Sequence, residues 1–197
     1  MTALDDLKEL LPPPAGYGRT FDWTAVEQRL GVTEIPQDFK LLFEAYGDIR
    51  FCNRLHMFRP SANEYIDLAD VTFASRVHLA AEDIGDPATR IPPGVSVTPA
   101  TLIQWGASFG GCYALWDAHD PNPDRWTLVF TDADQIQWGY YDGTVTNYLV
   151  DWLTGRFTPI PMWTLRPGTR PDIEFYDPND PYGPTITDQV EATYVIP

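Results

Sequence analysis

The chain has few cysteines and no long apolar segment. Its 197 residues include two cysteines, Cys52 and Cys112, which are too few for the disulfide framework of a small secreted domain. No run approaches the roughly 18 apolar residues that a membrane-spanning helix needs. The sequence therefore predicts neither a disulfide scaffold nor a membrane protein, and we expect both cysteines to be small buried side chains.

The N-terminal stretch MTALDDLKELLPPP lacks the features of an export signal. A signal peptide begins with basic residues and continues into an apolar region of 7–15 residues or so, and this stretch has neither. We therefore expect a cytoplasmic protein.

Basic residues are also scarce. The chain has 13 Lys and Arg against 28 Asp and Glu, which gives a formal net charge of −15. An acidic surface repels phosphate backbones, so we expect no direct binding of nucleic acid. The charge is compatible with a basic protein partner and equally with a surface that only keeps the protein soluble.

No catalytic, metal or nucleotide motif is present. The histidines His56, His78 and His119 are scattered, without the spacing of zinc ligands. There is no Gly-x-Ser-x-Gly elbow, and GASFGG joins two predicted strands, where it is a turn and not a phosphate loop. We predict no cofactor, no metal and no catalytic residue, and we interpret His56 as a packed or edge residue of a strand.

What the sequence does contain is enough apolar material for one domain. Apolar residues make up 44% of the chain and aromatic residues 14%, which is typical of a folded protein. In the first half, apolar spacing, capping residues and prolines predict helices over 3–11, 22–30, 36–46 and 63–81, with Asn63 as the cap of the last one.

The stretch IPQDFKLLFEAYGD gives the clearest helix. Pro36 suits the first helical position, and Gly47 can close the helix with a positive φ angle. Phe39, Leu42 and Phe43 share one face and are predicted to be core. The opposite side, with Asp38 and Glu44, is predicted to be free for solvent or a partner.

From about residue 100 the pattern becomes that of strands. TLIQWGAS, GGCYALWDA, RWTLVFTD and IQWGYYD are short runs of aromatic and β-branched residues between turn residues. A closing helix follows over 144–153. Helices, then a meander of strands, then a helix predict a single α+β domain whose sheet is antiparallel, or mixed, and packs against the helices.

The last 42 residues, 156–197, contain eight prolines. Such a stretch cannot be regular helix or central strand. Its aromatic residues predict an extended, acidic arm that packs on the domain, with a disordered tail as the alternative; they are Trp163, Phe175, Tyr176, Tyr182 and Tyr194. The predicted organisation is a domain over 1–155, with its core at about 22–155, and an extension over 156–197.

Several pieces, taken in order, resemble the SUKH superfamily. IPQDFKLLFEAYGD is similar to the family's helix signature, and WGASFGGCYALW followed by PDRWTLVF is similar to its strand pattern. The closing helix with Tyr148, Leu149 and Trp152 fits the family's terminal helix. The resemblance covers roughly residues 22 to 155, and the proline-rich extension departs from it.

The resemblance implies binding and not catalysis. Many bacterial members are immunity proteins, which bind and neutralise a toxin, often a nuclease, and a yeast relative is a hub that regulates cell-wall synthesis. The expected function is therefore stoichiometric neutralisation of a basic toxin by a protein that is expected to be a monomer. The alternative is an interaction or scaffold module of the same fold with no toxin partner.

A partner surface is predicted within residues 115–143. This stretch carries six aspartates against one base, Arg125, together with five Trp and Tyr residues. Acidic charges speed the encounter with a basic partner, and exposed rings supply contact area. The predicted partner-binding residues are Asp117, Asp120, Asp124, Asp134, Trp138, Tyr140 and Asp142. The alternative is that the rings are core and the acids belong to ordinary turns.

The loop LWDAHDPNPDRW leaves a third hypothesis, a small metal-dependent hydrolase. Asp117, His119, Asp120 and Asp124 could in principle form a carboxylate–histidine set or a calcium loop. Their spacing matches neither an EF-hand nor a known catalytic box, and the two prolines suit a rigid hairpin connection.

Overall fold

The computed structural model describes residues 2–13, 15–81, 97–108, 110–160, 163–176 and 186–196. Within them lie five α-helices and eight β-strands: α1 (Ala3–Leu10), α2 (Thr24–Leu30), α3 (Gln37–Tyr46), β1 (Ile49–Phe51), β2 (Leu55–Met57), α4 (Leu68–Ala81), β3 (Leu102–Ser108), β4 (Tyr113–Asp117), β5 (Thr127–Thr131), β6 (Trp138–Tyr141), α5 (Val145–Leu153), β7 (Asp172–Tyr176) and β8 (Ile186–Glu191). Across these described ranges, no helix combines the length and the apolar character needed to cross a membrane.

All eight strands belong to one sheet. Their order is β6-β5-β4-β3-β2-β1-β7-β8, and every neighbouring pair is antiparallel. The prediction of a single α+β domain with an antiparallel sheet packed against helices is confirmed.

An aromatic core lies between one face of the sheet and the helices α3 and α5. The Phe39 ring of α3 lies 6.2 Å from that of Trp105 and 4.8 Å from that of Trp116, measured between centroids. Tyr148 of α5 lies 4.7 Å from Phe130 of β5. Since each such ring removes a large apolar area from water, these contacts dominate the packing of the domain. The stretch 36–46 is therefore a core element.

The ends of α3 follow local rules closely. Pro36 is the residue just before the helix and not its first residue, one position away from the prediction. Gly47 ends the helix with a φ of 69°, and a Cβ at this position would lie 1.9 Å from the carbonyl oxygen of Tyr17. Only glycine fits there, because both the φ angle and the space exclude a side chain.

Helix α4 covers the other face of the sheet. Leu79 packs with Leu102, Leu115 and Val129 in a second, smaller core. Where a bulge interrupts the pairing of β3 with β4, the Thr72 hydroxyl accepts the hydrogen bond of the Gln104 amide at 3.1 Å. The helix therefore stabilises the irregular point of β3 as well as burying apolar area.

The start of α4 differs from the prediction. The helix begins at Leu68, and Asn63 instead accepts a hydrogen bond from the Tyr65 amide in the preceding turn. The cap is Asp67, whose Oδ1 accepts the amides of Ala69 and Asp70, both at 3.1 Å. The segment between 63 and 67 is held by side-chain hydrogen bonds that compete with helix formation.

The described part of the extension joins the sheet. Strand β7 pairs with β1 on one side and with β8 on the other. Trp163 is buried, and its carbonyl oxygen accepts the indole hydrogen bond of Trp152 at 2.6 Å. Tyr182, one of the aromatic residues expected to anchor the arm, lies outside the described residues.

Candidate binding surface

Three of the predicted partner-binding aspartates lie at one end of β4, β5 and β6. Asp120 and Asp124 belong to the connection between β4 and β5. Because Leu128 pairs with Tyr141, Asp142 emerges beside the start of β5, next to that connection. We call Asp120, Asp124 and Asp142 the acidic end.

Asp134 lies at the opposite end of the same strands. It sits in the turn between β5 and β6, where Thr131 pairs with Trp138. The five residues of β5 separate the two ends by roughly 14 Å, at about 3.4 Å per residue. Apart from Asp117, which is buried at the end of β4, the structure therefore divides the predicted acidic set into a group of three and a separate Asp134.

The loop that carries Asp120 and Asp124 is held in place by its own hydrogen bonds. Asp120 accepts the amide hydrogen bond of Asn122 at 2.8 Å, and Asn122 accepts that of Asp124 at 3.0 Å. The Trp126 indole donates to the carbonyl oxygen of Asp120 at 2.7 Å. Arg125, the one base of residues 115–143, lies 3.9 Å from the Asp120 carboxylate. A loop held this way loses little entropy when it binds.

Asp117 lies beneath the surface. Only 3% of it is exposed, and its carboxylate accepts the Thr101 hydroxyl at 3.0 Å. The other carboxylate oxygen lies 3.0 Å from Nδ1 of His119, whose ring is exposed. This pair is the part of the loop that most resembles catalytic chemistry, because a carboxylate fixes the orientation of an accessible imidazole.

The two aromatic residues of the predicted surface have different environments. Trp138 is buried in the smaller core, and its indole donates to the carbonyl oxygen of Gln135 at 3.0 Å. Tyr140 is 44% exposed and Ile136 is 55% exposed. Of the two, Tyr140 alone is a ring that a partner can reach without unfolding the sheet.

The sequence did not indicate a groove beside α4. It has a volume of about 510 Å³ and lies between the helix and strands β3 and β4. Residues that line it include Glu64, Tyr65, Asp70, Ala74, His78 and Tyr113. We call it the α4 groove. The available signal was the composition of α4, whose apolar residues are spread around the helix and so cannot show which side is buried.

A polar cluster lies across β1, β2 and β7. Arg50 forms a salt bridge with Glu174, and the Tyr176 hydroxyl donates to the same carboxylate at 3.3 Å. The His56 ring packs 5.7 Å from Phe58, and burial lowers the pKa of His56 to about 4. The cluster joins the extension to the sheet, and His56 is a packed strand residue that is neutral at physiological pH.

No three His, Cys, Asp or Glu side chains within the described ranges are grouped so that they could hold a metal ion. The chain matches no protein-family model, no curated protein and no solved structure. The SUKH resemblance therefore rests on the sequence motifs.

Proposed function

We propose that the protein binds and neutralises a basic protein toxin, with the acidic end as part of the contact surface. The observation that carries this proposal is three carboxylates gathered on and beside a loop held by its own hydrogen bonds in a molecule of net charge −15. A field of this sign accelerates the encounter with a basic partner, and the fixed loop keeps the ordering cost of binding low.

A nuclease is the toxin class that fits best. Its substrate is a polyanion, so its active site presents basic residues, and carboxylates can occupy the positions of phosphates. The exposed Tyr140, two residues before Asp142 in the chain, adds an aromatic side chain that a partner can contact. The motifs that resemble the SUKH superfamily support the same function. The proposal places a monomeric protein in the cytoplasm, where it binds the toxin stoichiometrically without catalysis.

The test is co-purification of the tagged protein from its native cells at low and high salt, followed by mass spectrometry. We expect one basic protein in near-equal amount, with weaker retention at high salt because the charges are screened. The triple variant Asp120→Asn, Asp124→Asn, Asp142→Asn should lose this partner. Asp134→Asn removes a similar exposed charge at the other end of the strands and should retain it.

Other results would support a different function. Several housekeeping proteins, unaffected by the triple variant, would indicate the scaffold alternative. The geometry of Asp117 and His119 keeps a hydrolase as a second candidate, which requires a hydrolytic activity that His119→Ala abolishes.

A further inference from the structure

We infer that the α4 groove is a second protein-docking site, which receives a Lys or Arg side chain from a partner segment whose neighbouring apolar residues cover Phe73 and Val77. The groove and these two side chains lie on the same helix, which otherwise packs on the sheet through Leu79. This surface is distinct from the acidic end.

The lining of the groove suits a cation with an apolar stem. Glu64 and Asp70 supply carboxylates, and Tyr65 and Tyr113 supply aromatic rings. Asp70 already pairs with Arg29, whereas Glu64 makes no ion pair within the described ranges. An ammonium or guanidinium group beside Glu64 gains both charge attraction and contact with ring faces.

The surroundings of the groove favour a protein segment over a small molecule. Tyr65 is 78% exposed, Val77 is 72% exposed and Phe73 is 39% exposed. The Phe73 ring already lies 6.0 Å from the Arg29 guanidinium carbon and 5.9 Å from that of Arg76. A small cation in the groove would leave Val77 and the exposed part of Phe73 uncovered. A segment with a basic residue between apolar ones fills the groove and also covers Val77 and the exposed part of Phe73, and contacts around a central charged side chain exclude water from it.

Charge also argues against a second copy of this chain as the occupant. Each copy carries a net charge of −15, and the groove itself contributes acidic groups, so two copies repel each other. A segment that is basic has the complementary sign.

The groove is separate from the acidic end. Tyr113 is the first residue of β4 and Asp117 is the last, so the groove and the loop of Asp120 and Asp124 lie toward opposite ends of that strand. Binding at the groove therefore does not depend on whether the partner of the acidic end is a toxin.

The experiment is an NMR titration of the full ¹⁵N-labelled chain with acetyl-Leu-Arg-Leu-amide. The control peptide carries citrulline, a neutral group of nearly the same shape, in place of arginine. We expect amide shifts at Tyr65, Ala74, His78 and Tyr113 with the arginine peptide, and smaller shifts at the same positions with citrulline. Equal shifts from the two peptides, or shifts concentrated elsewhere, would overturn the inference.

Variants identify the groove independently of the peptide. Ala74→Lys places a long cationic side chain in the groove at an exposed helical position and should abolish the shifts. Ala25→Lys is the matched control, since it is the same substitution at an exposed position of α2, and should leave them unchanged. Glu64→Gln should weaken binding roughly threefold, as expected for an exposed charge pair. Retained binding in Ala74→Lys would rule out the groove.

Discussion

At the scale of single residues, Asp38 is predicted to be free for solvent or a partner, but in the structure it joins two helices. The periodicity of α3 places it on the polar side, away from Phe39 and Leu42. In the structure its Oδ2 accepts the Thr146 amide at 3.2 Å and the Thr146 hydroxyl at 3.3 Å. A side chain of α3 therefore satisfies a free amide at the start of α5. Local sequence patterns cannot predict this contact, because the two residues are far apart in the chain.

Asp38 should give the stability a measurable pH dependence. Burial raises the pKa of Asp38 in the folded protein, although hydrogen bonds from Thr146 and Thr144 oppose the shift. A raised folded pKa means that the contribution of this carboxyl to stability is complete below its unfolded pKa of about 3.9 and is lost as the pH rises through the folded value. Asp38→Asn is neutral at every pH. Urea unfolding gives the free energy of unfolding of both proteins at pH 7 and pH 4. The value for the wild type, relative to that for Asp38→Asn, should be higher at pH 4 than at pH 7.

The control for this prediction is Asp38→Ala, which removes the acceptor. It should cost about 1 kcal/mol at pH 7, as the loss of a helix cap does. If the difference between wild type and Asp38→Asn were the same at both pH values, the carboxyl would not be the responsible group.

The predicted partner residues show the same limit of sequence reasoning. Asp117 and Asp120 are three positions apart, yet Asp117 is 3% exposed and Asp120 lies in a surface loop. In a strand, a shift of one residue moves a side chain to the other face, and the face is decided by pairing with distant strands. The sequence shows that the region is acidic, but it does not show which of the acidic side chains are exposed.

At the scale of elements, helices fixed by local chemistry were predicted well. The predicted α3 covered 36–46 and the structure has Gln37–Tyr46. The predicted α5 covered 144–153 and the structure has Val145–Leu153, with the Thr144 hydroxyl accepting the Asn147 amide. The capping residues, the apolar spacing and the terminal glycine of such a helix lie within a few residues of each other, so the local sequence is enough to predict it. The strand pairing of β1 with β7 joins distant segments, and nothing local predicts it.

Helix α4 has an observed N-cap, Asp67, and a predicted one, Asn63, and substitution of each shows which one stabilises the helix. Asp67→Ala should destabilise the protein by about 2 kcal/mol, at the upper end for a lost cap, because it frees the amides of Ala69 and Asp70 and leaves Arg29 with one fewer acidic partner. Asn63→Ala removes only a turn hydrogen bond to Tyr65 and should cost less than half as much. Chemical denaturation of both variants measures the difference. Equal costs would mean that the helix effectively begins at the earlier cap.

At the scale of the whole molecule, the extension is part of the sheet in the residues that the structure describes. Ile173 and Phe175 of β7 are fully buried, and Trp163 closes the aromatic core beside Phe130 at 5.5 Å between centroids. Eight prolines in 42 residues made this segment read as an arm. Prolines interrupt it between the strands and not inside them, so two short strands remain available for pairing.

Removal of the extension should therefore prevent stable folding. A chain ended after Gly155 loses β7, one of the two partners of β1, together with the buried side chains of β7. The free energy contributed by this apolar burial exceeds the roughly 5–15 kcal/mol of net stability that a domain has. We expect non-cooperative thermal unfolding, loss of near-UV circular dichroism and binding of a hydrophobic dye. A cooperative transition in the shortened chain would show that residues 1–155 fold by themselves.

The pairing of β1 with β7 also has a consequence for protein synthesis. Arg50 and Glu174 meet across this ladder although 124 residues separate them in the chain. At roughly 5–20 residues per second, the ribosome needs on the order of ten seconds to supply the second strand after the first. During that interval the nascent chain exposes an unpaired strand edge and an open aromatic core. Its final folding step therefore waits until the second strand has been synthesised, and chaperones can bind the exposed apolar surface until then.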